Sequence, residues 1–246
     1  MTLAIQSNTE TITAWEIIPR LAHYQMLPQL IKESIIDEAI KTIECSPAEI
    51  TSSYQIFEKQ NKIQTAAQRQ EWAATRGMSE ADIREVALRQ LKIAKFKHQQ
   101  WGHTTKSYFI ARKAQLDKVS FSIIRTKDQS LAQEIYFRIQ EQEQTFAELA
   151  RQFSQGVEAD LGGFVAPIEL GSLPPAFAQL LQNRQAGDLL PPCPTADSIV
   201  IIQINSVISA KLDSLTNQRL LNEQFQRWLQ QQIKKHSIAL KNLQLN

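Results

Sequence analysis

The fold of the second half of this chain is decided by residues 145–164, which read TFAELARQFSQGVEADLGGF. Thr145 and the glutamate three residues later have the spacing of a capping box, which predicts a helix that begins at Phe146. A polar loop follows this helix. The adjacent glycines Gly162 and Gly163 then permit a tight backbone at the start of a short extended segment.

Strands and helices are predicted on both sides of this stretch. Residues 119–124 and 199–207 are rich in β-branched and aromatic side chains, which is typical of strands. Residues 190–194 contain several prolines and are therefore predicted to be irregular or an edge strand. Helical patterns cover 128–144 and 174–183. The resulting order, β-α-α-β-α-β-β, predicts a small domain of the α+β class.

The region before residue 117 is predicted to be almost entirely helical. Apolar residues recur every three or four positions over 28–43 and 79–101. Ser46 and Ser79 each stand three residues before an acidic residue, as the first residue of a capping box does. This region is therefore predicted to be a set of helices with well-defined starts.

The helical pattern returns over 213–236, where apolar residues again recur at helical spacing. Because the two ends of a chain can pack together, we expect this last helix to return to the N-terminal helices. The sequence thus predicts three segments. They are a helical region (1–116), an α+β domain (117–210) and a C-terminal helix (211–246).

The composition excludes several classes of protein. With 27 basic and 25 acidic residues, the net charge of +2 gives no sign of a nucleic-acid-binding surface. The two cysteines, Cys45 and Cys193, are far apart, so neither a disulfide framework nor a zinc site is predicted, and we expect no metal or cofactor. No apolar run approaches the ~20 residues that a membrane span needs. Residues 1–10 lack the pattern of a secretory signal, so a cytoplasmic location is expected.

Several segments, in the correct order, resemble the parvulin or PpiC type of peptidyl-prolyl isomerase, a rotamase. The segments are FAELARQFS (146–154) with DLGGF (160–164), LPPAF (173–177), GD (187–188) and SIVII (198–202). The resemblance covers residue 118 to about 209. It implies a four-stranded sheet with helices, and an isomerase that acts on proline-containing peptides or unfolded polypeptides.

The helical N-terminal region resembles the SurA-type chaperone domains that often precede parvulin domains. Together with the parvulin resemblance, this implies a two-part folding factor. Related two-part bacterial proteins include export-linked foldases, so secretion machinery is one partner that the resemblance implies.

By motif position, four apolar residues match the parvulin pocket that holds the proline ring. They are Leu161, Phe164, Leu173 and Phe177. Leu170 competes with Leu173 for one of these positions, because the chain is longer there than the family pattern. Ordinary core packing is the alternative interpretation of these residues.

The polar half of the family's site is missing from this sequence. Parvulins place one histidine on the first strand and one on the last, and here those positions carry Ser122 and Val200. The nearby Cys or Asp of the family falls on Gly156 or Val157. The histidines of the chain, His23, His98, His103 and His236, all lie outside the parvulin-like segment.

Two further residues, Thr195 and Asp197, match hydroxyl-bearing positions of the family, with a role in a turn as the alternative. Together with Ser122 they are the candidate catalytic residues. Prolyl isomerisation makes and breaks no covalent bond, and its barrier of ~18–20 kcal/mol is the loss of amide resonance. Two functions therefore stay open. One is a weak isomerase that works through an apolar slot, and the other is a non-catalytic proline-peptide-binding chaperone or export adaptor.

Overall fold

The computed structural model describes residues 4–7 and 10–243. Contacts divide the chain into two compact units. The helical unit consists of the chain up to Thr105 and of the residues from Asn217 onward. The sheet unit consists of Lys106–Thr216. The helical unit is therefore discontinuous in sequence, because the sheet unit lies between its two parts.

The helical unit opens with a short hairpin and continues with helices. Its elements before the sheet unit are β1 (Ala4–Ser7), β2 (Glu10–Thr13), α1 (Ala14–His23), α2 (Leu27–Ile40), α3 (Pro47–Gln60), α4 (Ala66–Ala74), α5 (Glu80–Trp101) and a 3₁₀ turn (Gly102–Thr104).

The hairpin is a departure from the predicted, almost entirely helical N-terminal region. β1 and β2 pair antiparallel, with Ala4 opposite Thr13 and Ser7 opposite Glu10. Each strand has four residues. A run of that length is too short for the two-residue alternation of a strand to stand out from a helical background.

The predicted capping boxes of the helical unit are confirmed. At the start of α3, the backbone N–H of Ser46 donates to the Glu49 carboxylate at 2.8 Å, and the Ser46 hydroxyl accepts from the N–H of Glu49 at 3.4 Å. Ser79 and Asp82 make the same reciprocal pair at the start of α5. These bonds satisfy backbone donors that a helix start otherwise leaves open.

The sheet unit contains the second group of elements. In chain order they are α6 (Thr105–Leu116), β3 (Lys118–Thr126), α7 (Gln129–Gln140), α8 (Phe146–Phe153), a 3₁₀ turn (Ala159–Leu161), β4 (Phe164–Glu169), a 3₁₀ turn (Leu170–Ser172), α9 (Pro175–Leu181), β5 (Leu189–Pro194) and β6 (Ile199–Ile208). The last helix, α10 (Ser214–Leu243), passes into the helical unit. The predicted α+β class, with its order β-α-α-β-α-β-β and its C-terminal helix, is confirmed.

The sheet has the strand order β4-β3-β6-β5, and all neighbouring strands are antiparallel. The proline-rich segment forms β5 at one edge, where missing N–H groups cost no ladder bonds. One face of the sheet packs against α9 and is called the α9 face. The other packs against α7 and α8 and is called the α7–α8 face.

Alternation along the two central strands assigns each side chain to a face. The buried residues of the α9 face include Val119, Phe121, Ile123, Val200, Ile202 and Ile204. Those of the α7–α8 face include Ile124 and Ile201, which pack with Ala132, Ile135 and Leu149. Both faces of β3 and β6 are thus covered, and the α7–α8 face of β3 also carries the buried polar residues Ser120, Ser122 and Thr126.

The core of the helical unit joins three helices. Ile36 and Ile40 of α2 pack in one buried cluster with Phe96 of α5 and with Phe225 and Leu229 of α10. The last helix therefore lies in the same core as two helices that precede the sheet unit.

The point where the chain enters and leaves the sheet is fixed by Asp117. Its carboxylate accepts from the N–H of Ala210 at 2.7 Å and from the amine of Lys113 at 3.0 Å. The domain boundaries predicted from the sequence, 116/117 and 210/211, lie inside the compact unit Lys106–Thr216. They stay a prediction about which segment folds by itself.

Candidate functional site

Phe177, a predicted substrate-binding residue, lies on the α9 face. Its ring stands 5.6 Å from the ring of Phe121, centroid to centroid, at an interplanar angle of 56°. Phe121 is buried, whereas Phe177 and Leu173 are half-buried and pack against the same cluster. Part of each of these two side chains is thus accessible above a fully apolar floor.

Leu170 and Leu173, the two candidates for one position of the proline pocket, differ in their exposure to solvent. Leu170 is buried in the α9-face cluster, whereas Leu173 is half-buried at its margin. A substrate can contact only an accessible side chain. Leu173 is therefore the better placed of the two to touch a bound proline.

Val200 and Cys193 lie opposite each other in β6 and β5, on the α9 face. Val200 is fully buried. The half-buried thiol of Cys193 donates to the carbonyl oxygen of Pro191 at 3.1 Å. The place where the family has its second histidine is therefore filled by an apolar side chain with no access to solvent.

Ser122 is not brought to this face. It stands directly opposite Gln203 in β6, and its hydroxyl accepts from the side-chain amide of Asn205 at 3.1 Å. Successive side chains of a strand point to opposite faces, so Ser122 lies with Ile124 on the α7–α8 face. The residue of β3 that faces Phe177 is its neighbour, Phe121.

Sequence reasoning missed Phe121 for a physical reason. A shift of one residue in the alignment of a strand moves every side chain to the other face. Here residues 119–123, V-S-F-S-I, alternate between apolar and polar, which groups Phe121 with Val119 and Ile123 and separates it from Ser122. The match by motif position selected Ser122 and did not use this alternation.

Phe164 and Leu161 are exposed residues at the start of β4. Phe164 pairs with Ser122, and the next residue, Val165, packs into the α9-face cluster. By alternation, Phe164 lies on the opposite face from Phe177. Leu161, in the turn before β4, is 69% exposed. The structure therefore does not bring Phe164 together with Phe177.

The glycine pair before β4 has a steric role. Gly163 has φ +78°, and a Cβ placed on it would lie 2.5 Å from the carbonyl oxygen of Ile123. Gly162, at φ +65°, would meet the Cβ of Ala147 at 2.8 Å. The N–H of Ile123 donates to the carbonyl of Gly163 at 2.9 Å. Only residues without a Cβ allow the loop to pack this closely on β3 and α8.

Thr195 and Asp197 lie in the turn between β5 and β6. The hydroxyl and the backbone N–H of Thr195 both donate to the carbonyl oxygen of Ser198, each at 2.7 Å. Both Thr195 and Asp197 are exposed. The bonds of Thr195 are those of a turn residue, and the catalytic role of the pair stays a prediction.

The loop after α8 is held by an ion pair. The guanidinium of Arg125 in β3 donates to the carboxylate of Glu158 at 2.7 Å, and the Glu158 side chain is only 11% exposed. The hydroxyl of Ser154 accepts from the backbone N–H of Arg125 at 3.1 Å. The charge of Arg125 is therefore engaged within the protein.

In the part of the chain that the structure describes, no group of three His, Cys, Asp or Glu side chains is placed to hold a metal ion. Among the same described residues, no helix is both long enough and apolar enough to cross a membrane.

Comparison with known proteins identifies the sheet unit. The family model described as "Rotamase: PPIC-type PPIASE domain" matches residues 121–206. No curated protein gave a significant match to the chain.

Among solved structures, the peptidylprolyl isomerase PrsA from Bacillus cereus is similar over 96% of this chain and 92% of its own, with 16% identity and a TM-score of 0.52. PrsA from Bacillus anthracis is 20% identical over 86% of this chain and 97% of its own, with a TM-score of 0.46. The parvulin domain of PpiD from E. coli is 21% identical over 41% of this chain and 97% of its own, with a TM-score of 0.35.

The family match includes most of both central strands, the glycine pair and α9, and it lies within the range of 118 to about 209 over which the parvulin resemblance was predicted. The resemblance is thereby confirmed. Residues 121–206 form a rotamase domain of the PPIC type, a peptidyl-prolyl isomerase domain that acts on proline-containing polypeptides.

Proposed function

We propose that the sheet unit binds proline-containing segments on Phe177 and Leu173 and isomerises them slowly, without proton transfer. The observation that carries this proposal is the contact between Phe177 and Phe121, an accessible ring held on a buried one. Proline offers an apolar ring that fits such a surface. A dry, apolar contact favours the twisted amide of the transition state, because that amide is less polar than the planar one.

The proposed slowness follows from what surrounds this surface. The sheet unit contains no histidine, and the residues of β3 and β6 that face α9, Phe121 and Val200 among them, are apolar. Oriented hydrogen-bond donors usually supply a large part of the stabilisation of a transition state. Without an imidazole pair, the apolar surface and desolvation carry the catalysis.

Binding without useful catalysis is the second candidate, and one observation favours it. Val200 is fully buried, so the β6 side of the site offers a substrate carbonyl no side-chain donor from that position. Under this function the protein holds proline-containing segments of unfolded polypeptides and releases them unchanged.

The same proposal has three further parts. The helical unit acts as a chaperone, secretion machinery is a partner, and the protein is located in the cytoplasm. These parts rest on the resemblance to two-part bacterial folding factors. Pull-down from cell fractions with the full chain as bait tests the partner and the location together.

NMR exchange spectroscopy on a short Ala-Pro peptide separates the two functions. With a catalytic amount of the full chain, slow catalysis gives cis–trans exchange peaks that the peptide alone lacks, since uncatalysed exchange takes tens to hundreds of seconds. Shifted or broadened peptide signals without exchange peaks establish binding alone. Unchanged signals at millimolar peptide would overturn the proposed site.

A further inference from the structure

The beginning of the helical unit exposes an unusual amount of apolar surface. Five large apolar residues between β2 and the middle of α2 are strongly exposed: Trp15 (90%), Ile18 (63%), Tyr24 (64%), Met26 (51%) and Leu30 (46%). We call these residues the arm surface. None of the described side chains of α1 is fully buried.

The arm surface is continuous along the chain. Trp15 and Ile18 are three residues apart in α1, so they share a face of that helix. The N–H of Met26 donates to the carbonyl of Leu21 at 2.8 Å, which folds the turn back on the last turn of α1. Leu30 follows one helical turn later, and its N–H donates to the carbonyl of Met26 at 3.0 Å.

The segment formed by β1, β2 and α1, called the arm, consists of elements that have little stability by themselves. Its two strands pair only with each other among the described strands, and an isolated two-stranded hairpin is marginally stable. A ten-residue helix is likewise marginal by itself and depends on the burial of an apolar face. Both elements would therefore gain stability from a further surface, beyond the contacts of α1 with β2 and α2.

We propose that the arm surface is the interface of a homodimer, in which it packs against the same surface of a second copy of this chain. The exposed area of the arm surface is suitable for contact with a second copy of the chain. The arm surface exposes roughly 600 Å², since a large aromatic side chain alone can contribute about 150–250 Å². That is close to the ~800 Å² that each partner buries in an interface of standard size.

The charge of the arm is compatible with self-association. A two-fold interface brings a surface against itself, so unpaired charge of one sign would repel. The charged groups of α1 are Glu16 and Arg20, which form an ion pair at 4.0 Å, and a histidine at its end. The outer edges of β1 and β2 offer a second contact of the same symmetry, since identical strands related by a two-fold axis pair antiparallel.

The test compares two isoleucines of equal exposure. Ile18, in the arm, is 63% exposed, and Ile110, on α6 of the sheet unit, is 64% exposed. Ile18→Glu and Ile110→Glu therefore carry the same change at sites where neither is expected to disturb folding. Sedimentation equilibrium of the full-length parent and both variants, over a range of protein concentrations, measures the dimer dissociation constant.

We expect a dimeric parent, an Ile110→Glu variant with the parental constant, and an Ile18→Glu variant with a constant raised at least about 10-fold. Circular dichroism checks that both variants keep the parental helix content. A parent that stays monomeric at about 100 µM, far above the dissociation constants of stable dimers, overturns the proposal. An Ile18→Glu variant as dimeric as the parent does so too.

Two probes then identify another occupant. If the parent is monomeric, binding of a reduced, unfolded polypeptide that is lost in Ile18→Glu assigns the arm surface to clients. Binding of vesicles of anionic phospholipid that is lost in the same variant assigns it to a membrane surface. Either result replaces the dimer.

Discussion

The rings of Phe121 and Phe177 lie 5.6 Å apart and differ in what water can reach. Phe121 is 3% exposed and belongs to the core of the sheet unit, whereas Phe177 is half-buried on α9. Phe121 thus supports the proposed proline-binding surface from below, and Phe177 forms its accessible part. This difference predicts opposite results for the same substitution at the two positions.

Phe177→Ala should weaken the binding of a proline peptide by about 1–3 kcal/mol, the value of a lost apolar aromatic contact, and should stay folded. Phe121→Ala should instead lower the free energy of unfolding by about 3–5 kcal/mol, because it opens a cavity in the core. Peptide titration by NMR and urea unfolding followed by circular dichroism measure the two effects. A folded Phe177→Ala protein with parental affinity would remove Phe177 from the site.

Ser122→Ala should leave isomerase activity close to that of the parent. The hydroxyl lies on the α7–α8 face and accepts a hydrogen bond from Asn205, so its loss should cost about 0.5–1.5 kcal/mol of stability. The exchange rate of a proline peptide, measured at saturating peptide, checks the activity. A large loss of activity in a folded variant would show that Ser122 acts on the substrate.

Any isomerase activity should be nearly constant between about pH 6 and 8, the range in which a histidine with a pKa near ~6.5 titrates. The reason is that all four histidines of the chain lie outside the sheet unit Lys106–Thr216. Exchange spectroscopy at several pH values gives the profile. An inflection near neutrality that persists in a variant without His98 and His103 would contradict this expectation.

Gly163→Ala should destabilise the sheet unit more than Gly187→Ala does. Both glycines have positive φ, which costs an alanine about 1–2 kcal/mol. At Gly187 nothing lies within 4 Å of a new Cβ, whereas at Gly163 the carbonyl oxygen of Ile123 lies at 2.5 Å. The difference in stability between the two variants therefore measures the cost of the steric clash at Gly163. Hydrogen exchange of the β3 amides measures it, and equal protection in both variants would contradict the packing described for Gly163.

Glu49 should make the stability of the helical unit depend on pH. A hydrogen bond from Lys95 and the capping bond from Ser46 lower the pKa of Glu49 from 4.5 to about 2. Its contribution is therefore complete above pH ~4.5 and is lost as the pH falls towards 2, because the unfolded chain then binds the proton first. The stability gap between the parent and Glu49→Gln should shrink over that range.

Tryptophan fluorescence is a suitable measurement for this prediction, because all four tryptophans lie in the helical unit: Trp15, Trp72, Trp101 and Trp228. Glu80→Gln, also in the first turn of a helix, is the matched control. A gap that is the same at pH 7 and pH 3 for Glu49→Gln would contradict the expectation.

The sequence predicted the elements of this fold well where local chemistry defines them. The capping boxes at Ser46, Ser79 and Thr145 mark helix starts by two reciprocal hydrogen bonds, and all three are present. The prolines of 190–194 likewise predicted an irregular segment or an edge strand, and the segment forms the edge strand β5. In each case a few neighbouring residues determine the structure.

The candidate site was harder to predict because it depends on the register between strands. The local alternation of β3 separates Phe121 from Ser122, but which of the two faces meets α9 depends on packing with elements that are distant in sequence. The face of Phe164 depends in the same way on its partner in β3. A single sequence contains the side chains but not their pairing, so the motif located the site without assigning its faces.

The interruption of the helical unit by the sheet unit has a consequence for biosynthesis. The ribosome completes Lys106–Thr216 before it makes Phe225 and Leu229, which close the core around Ile36 and Phe96. Domains generally fold as units while the chain emerges. The isomerase domain can therefore reach its native state first. The core of the N-terminal helices stays incomplete until α10 has been made. A chain truncated during translation before α10 would carry a finished catalytic domain on an unfinished, aggregation-prone helical region.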